Sequence, residues 1–281
     1  MTCTWIDAKA IWEAKNKPYL DHLLHDSLEN SPVLTFSRFP FPTNQFFFWP
    51  PASDLAYRGW GLWYGSPGTK SWVVLRGNKL VFLAFFQSLK GGEEVTFDYI
   101  REEETPHFTA YFGKQPALSD FYYEMTPDIC PRGDTPPLEW LHSLGLAVHD
   151  FPPPSIDALL SLYKYQRDDI ARPTLQAVKG LYVTRDDRII AAMYDNLSIV
   201  PRALDAACIS GVLVADTERN KGICNALTRL FLERLFQLGN KKVGLFVSAN
   251  NHAAIKCYEN AGLVQKKKYY RLELDPRKSS S

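Results

Sequence analysis

The run from Ile209 to Leu238 constrains this chain most, because it sets a short apolar strand, a basic turn and a long amphipathic helix end to end. Ile209 to Val214 reads as the strand, Asp216 to Arg219 as the turn and Gly222 to Leu238 as the helix. In the helix Ile223, Ala226, Leu227, Leu230, Phe231 and Leu235 recur at spacings of three and four, Asn225, Thr228, Arg229 and Glu233 fall largely on the other face, and Gly239 stops it. A strand end, a turn and a helix N-terminus gather unpaired backbone N–H groups and the positive end of a helix dipole in one place, which suits phosphate. Gly222 admits a close backbone approach, and Arg219 and Lys221 add positive charge, so a pyrophosphate is the expected ligand. Neither G-x-G-x-x-G nor G-x-x-x-x-G-K-[ST] occurs, which sets aside the Rossmann and P-loop readings.

After the helix come a second apolar strand, Lys242 to Val247, and the stretch Asn251 to Leu263, which reads N-x-x-A-x-x-x-Y-x-x-x-G. This order resembles the GCN5-related N-acetyltransferase (GNAT) superfamily over residues 209 to 274. The resemblance implies an α/β fold with a mixed sheet and an acyl-CoA co-substrate, acetyl-CoA or another. It also implies that Val212, Leu213 and Val214 form a splayed central strand whose amides pair with the pantetheine arm. Arg219, Asn220, Lys221, Gly222, Ile223 and Cys224 would hold the pyrophosphate, Asn225 and Asn251 would contact the coenzyme and Tyr258 would face the thioester sulfur. Gly262 would end the last helix in a left-handed cap. Two positions depart from the family pattern. Cys224 stands where Gly or Ala is preferred, and Cys208, eleven residues before Arg219, stands where many members carry a general-base Glu.

With 281 residues and 46% hydrophobic content the chain can bury a full core and is long enough for two domains. A net charge of +1 leaves no electrostatic footprint for nucleic acid or an anionic membrane, and Lys266-Lys267-Lys268 reads as a solvated strand end. Five cysteines, Cys3, Cys130, Cys208, Cys224 and Cys257, form an odd set without C-x-x-C spacing and are expected to be reduced. The start lacks a secretory pattern and the most apolar segment, Leu80 to Phe86, is too short to span a bilayer, so a cytoplasmic protein is expected. His22 and His25 lie three apart but have no H-E-x-x-H or cysteine pair with them, so no metal site is read.

Opening helices are expected within Asp7 to Leu28, and Phe36 to Tyr64 is an aromatic run suited to a core, a domain interface or an acceptor pocket. Trp72 to Leu83 reads as two strands around a Gly77-Asn78 turn, and a similar hairpin shape recurs at Leu181 to Ala192, hinting at a duplicated fold. Pro131 to Pro137 is the best linker, and the boundary is placed between residues 144 and 145. The front half, 1 to 144, shows no R-x-x-G-x-small loop and is expected to be a degenerate GNAT-like or acceptor-shaping domain, while 145 to 281 carries the coenzyme site. This plan resembles glycine N-acyltransferase-like proteins. Ser155 is the expected N-cap of a helix starting at Ile156.

The resemblance implies N-acyl transfer to a small amine or amino acid, with a base taking the amine proton and Tyr258 as the acid for the leaving thiolate. The base is left open between Asp205, Tyr194 and His149 acting through water, with an acyl-Cys208 route and simple packing of Cys208 as alternatives. A non-catalytic acyl-CoA-binding protein is the competing reading.

Overall fold

The computed structural model describes residues 4–7, 13, 23, 45–49, 59–64, 71–77, 79–89, 94–129, 136–163, 168–200 and 205–274. The expected opening helices, the His22 and His25 pair, most of the aromatic run and most of the Pro131 to Pro137 linker lie outside the described residues. The front elements are β1 (Thr4–Asp7), β2 (Gln45–Trp49), β3 (Gly59–Tyr64), β4 (Ser71–Gly77), α1 (Lys79–Ser88), β5 (Val95–Arg101), α2 (Thr105–Phe112) and β6 (Ala117–Met125). There follow α3 (Pro137–Ser143), β7 (Ala147–Asp150), α4 (Ile156–Tyr163), α5 (Asp168–Ala177), β8 (Lys179–Arg185) and β9 (Arg188–Asp195). The chain continues through β10 (Ala206–Val214), α6 (Ile223–Gln237), β11 (Lys242–Ser248), α7 (His252–Asn260) and β12 (Val264–Leu274). No helix of the described residues is long and apolar enough to cross a membrane.

The chain divides into two compact units, one of residues 1–26, 32–121 and 267–281 and one of residues 27–31 and 122–266. The boundary expected after residue 144 therefore falls inside the second unit, and the C-terminal residues belong to the first. Strands in the first unit run β1-β2-β3-β4-β5-β12 and those in the second run β7-β8-β9-β10-β11-β6. Both orders have the same plan: a meander of four strands, a parallel neighbour reached through a helix, and a sixth strand drawn from the other half of the sequence. The fold is mixed α/β.

The repeat is thus real, but its register differs from the hairpin reading. Trp72 to Leu83 is a strand followed by a helix, so β4-α1-β5 corresponds to β10-α6-β11, and only Leu181 to Ala192 is a hairpin. Leu80 to Leu83 is an apolar run that periodicity alone does not separate into strand or buried helix. Burial of Val81, Phe82, Phe85 and Phe86 at helical spacing decides it, because these side chains meet Phe97 and Phe108 in the first unit's core.

In the second unit β10 pairs in parallel with β11 only from Ala206↔Lys242 to Ile209↔Leu245. On its other edge it stays paired with β9, but the register shifts between Ser210 and Leu213, where β10 carries one extra residue. Gly211 makes this bulge at φ 57°, and a Cβ there would lie 2.1 Å from Tyr194 Cε1. The Tyr163 hydroxyl on α4 donates to the Gly211 carbonyl. The bulge also interrupts the simple alternation that would have put Cys208, Ser210 and Val212 on one face.

Beside the bulge, Asp195 is buried and accepts from the N–H groups of Cys208 (2.8 Å) and Leu197 (2.9 Å). Burial pushes its carboxyl up to about 6 against those two hydrogen bonds.

Gly211→Ala should cost roughly 1–3 kcal/mol from the left-handed backbone alone, with the Tyr194 clash adding to it. Urea unfolding measures this, and an unchanged midpoint would contradict the close approach. Because the folded pKa of Asp195 is raised above 3.8, its contribution is fully present below that value and is lost as pH rises through about 6. Stability of the wild type should fall across that window relative to Asp195→Asn, and parallel pH profiles for the two proteins would refute the assignment.

Candidate functional site

Past Ile209 the β11-facing edge of β10 is open, and a cavity of about 700 Å³ forms along it. Its wall includes Val212, Leu213 and Val214 from β10, Arg219, Asn220 and Gly222 from the turn, and Ile223, Cys224 and Asn225 from the first turn of α6. Asn251 and Tyr258 complete it from α7. Of the residues expected to hold coenzyme, only Lys221 is not part of this wall.

The geometry of the turn follows from its sequence. A single 3-10 turn, Asp216–Glu218, leads to Asn220 at φ 63° and to Gly222, which caps α6 at φ 75°. The first helical bond runs from the Ala226 N–H to the Gly222 carbonyl, 3.1 Å. The N–H groups of Ile223, Cys224 and Asn225 therefore have no acceptor within the helix. Asn225 Nδ2 is buried without a partner, so the wall also holds an unused donor.

The two basic side chains are not free charges. Arg219 pairs with Asp216 at 2.7 Å and donates through Nε to the Val214 carbonyl, while Lys221 Nζ donates to Glu218 at 3.1 Å. Glu218 also receives Arg185, 3.2 Å away, and Lys221 followed by Arg185 holds its carboxyl below the usual carboxylate range. Both basic side chains are about half exposed, at 57% and 47%, so these pairs are each worth about 0–1 kcal/mol and can open toward an anion. The start of α6 thus offers unpaired backbone N–H groups, whereas the two basic side chains beside it are already ion-paired.

Helix α7 is fixed at both ends. Asn251 caps it by accepting from the Ala254 N–H at 3.2 Å, so its side-chain oxygen faces the helix while the residue still lines the cavity. At the other end Gly262 has φ 94° and its N–H meets the Glu259 carbonyl, while the Leu263 N–H meets the Tyr258 carbonyl, the paired bonds of a Schellman motif. The Tyr123 hydroxyl donates to Glu259 at 2.8 Å and holds the same turn. Tyr258 is buried at 6% exposure, and desolvation raises its pKa, which keeps the hydroxyl protonated.

Of the candidate bases, Tyr194 packs at the bulge. His149 on β7 stacks on Tyr182 and hydrogen-bonds Thr184, and Asp205 is ion-paired with Lys241 ahead of β10; neither lines the cavity. Cys208 is buried and also not in the wall, and Asp195 lines a different cavity of about 670 Å³ with Lys179 and Arg234.

One expectation is overturned outright. Cys224 and Cys257 are joined by a disulfide across 33 residues, so the cysteines are not all reduced. Both sulfur-bearing residues line the cavity, and Cys257 had no signal in the sequence because a pairing this distant leaves no spacing motif. Trp140 packs beside the turn without lining the cavity, its Nε1 3.5 Å from where a Gly222 Cβ would stand.

Residues 147–263 match the model of the family described as Acetyltransferase (GNAT) family. No curated protein matches the sequence. An acetyltransferase from the GNAT family from Colwellia psychrerythraea is similar in structure at 12% identity and a TM-score of 0.63, covering 98% of this chain and 100% of that one. A tandem GNAT protein from the clavulanic acid biosynthesis pathway aligns over 98% of this chain and 99% of its own at 10% identity and a TM-score of 0.63. A GCN5-related N-acetyltransferase from Sphaerobacter thermophilus covers 83% of this chain and 80% of that one, with 16% identity and a TM-score of 0.53. The family match lies within the unit that holds the cavity, and the likeness in fold to these GNAT structures extends over nearly the whole chain.

Proposed function

We propose that the protein is an acyl-CoA-dependent N-acyltransferase acting on the amine of a small molecule or amino acid, with its coenzyme site in the second unit. The observation that carries this reading is the open edge of β10 beyond Ile209, which runs directly into the unpaired N–H groups at the start of α6. An extended amide-bearing arm ending in a diphosphate is the ligand that uses both features. The cavity volume fits the same ligand. Acyl-CoA would supply an acyl group activated as a thioester.

The chain's own residues then have distinct tasks. Val212 to Val214 present a strand edge, Gly222 to Asn225 present amides to the anion, and Tyr258 holds a proton at its hydroxyl for release toward a departing thiolate. The choice of a small amine or amino acid rests on the two-domain likeness to glycine N-acyltransferase-like proteins. The first unit binds no coenzyme in this reading.

A second reading, an acyl-CoA-binding protein without turnover, is favoured by one observation. Cys208 occupies the family's carboxylate position and is buried, and the carboxylate that does line the cavity, Glu218, is ion-paired with Lys221 and Arg185.

Acetyl-CoA should raise the melting temperature of the wild type, since a ligand at a hundredfold excess over Kd adds about 2.7 kcal/mol. Gly222→Asp, which sets a carboxylate against the helix end, should abolish that rise; no shift in the wild type would refute the site. Tyr258→Phe should lower turnover by about 10²- to 10⁴-fold at nearly unchanged acetyl-CoA affinity, measured by thiol release with a panel of amines. Full activity in that variant would remove Tyr258 from the chemistry. A wild type that binds acetyl-CoA but acylates no amine would favour the second reading.

A further inference from the structure

The disulfide in the cavity wall has no task in acyl transfer. Cys224 is the second residue of α6, beside the unpaired N–H groups, and Cys257 directly precedes Tyr258 on α7. The bond ties the anion-facing end of one helix to the helix that carries the proton donor. Thr228 Oγ1, one turn along α6, lies 3.8 Å from Cys257 Sγ.

We propose that Cys224 and Cys257 are a thiol–disulfide modification site that sets the affinity of this cavity for acyl-CoA, the disulfide form binding more tightly. The proposal rests on the coenzyme reading of the cavity. Two effects of reduction act in the same direction. Without the bond, the α6 and α7 walls lose a covalent tie, so more ordering falls to the binding step. The freed Cys224 thiol also sits in the first turn of a helix, where amide N–H groups and the dipole favour thiolate. A thiolate there takes up the N–H groups that a diphosphate would use and repels it, whereas a disulfide sulfur carries no charge.

The chemistry needs a small dithiol as reductant. One of its thiolates attacks a cysteine Sγ, the Cys224–Cys257 bond breaks, and a mixed disulfide forms with release of the other cysteine thiolate. The reductant's second thiol then displaces the remaining cysteine. The two cysteines gain two electrons and two protons, and the reductant leaves as its cyclic disulfide. The cavity gives that reagent its path, because both cysteines line it. In a cytosolic setting a disulfide is usually transient or redox-sensing, which accords with this use. Reciprocity follows as well: a coenzyme that prefers the disulfide form must oppose its reduction by the same factor.

The test is equilibrium dialysis of labelled acetyl-CoA, which has no free thiol, against the full chain oxidised with oxidised dithiothreitol or reduced with dithiothreitol. Non-reducing peptide mapping reads which cysteines are joined. Reduction should weaken binding about tenfold, and bound acetyl-CoA should protect the Cys224–Cys257 bond from the reductant. The Cys224→Ala/Cys257→Ala protein should show one affinity under both conditions. Equal affinity of the two wild-type forms overturns the proposal and leaves the coenzyme reading standing, whereas binding by neither form overturns both. Mapping that never joins Cys224 to Cys257, or redox sensitivity that persists in the double variant, also overturns it. Should the double variant not fold, the wild-type affinities and the protection measurement decide the matter.

Discussion

Backbone pairing between β10 and β11 stops after Ile209, and the candidate site exists because it stops there. A strand that leaves one neighbour exposes amide groups that must find another partner. The sequence holds the break open with three residues. Gly211 takes a left-handed conformation, Tyr194 fills the space a Cβ would need, and the Tyr163 hydroxyl binds the Gly211 carbonyl from α4. The extra residue bends β10 while its other edge stays in register with β9 from Leu213 to Val214. The turn at 216–218 and the Gly222 cap then deliver the start of α6 to the end of the opened strand.

The first unit repeats the break in pairing. There β4 pairs with β5 from Ser71↔Val95 to Val73↔Phe97 and no further. Beyond that point Arg76 is buried, and its guanidinium meets Glu104 at 3.3 Å. Helix α1 begins two residues after β4 ends, at Lys79, so there is no room for a turn like that of residues 215 to 222. A buried ion pair of this kind adds little net stability, because desolvation offsets its attraction.

The second unit was largely legible because its signals are local. Strand, turn and helix lengths follow from periodicity, Gly239 and Gly262 stop their helices at positive φ, and Ser155 accepts from Ala158 as its position predicts. What escaped the sequence depends on distance in the fold. The exchange that places β12 beside β5, and the joining of Cys224 to Cys257, link residues with no spacing rule between them. The start of the helix Lys79–Ser88, up to Leu83, reads as a strand because a short apolar run suits either, and only its packing on Phe97 and Phe108 separates them. The charge on Arg219 and Lys221 was overrated: Asp216 and Glu218 are visible in the sequence, but that each meets the basic residue three places on depends on the turn.

The central claim is that one opened strand, in the second unit, makes one coenzyme site per chain. Isothermal titration calorimetry of the full chain with acetyl-CoA tests it most directly. The account predicts a stoichiometry of one, with heat lost when Gly222 is replaced by Asp. A stoichiometry of two would show that the first unit also binds coenzyme, and the absence of any binding heat together with no competition by CoA would contradict the account.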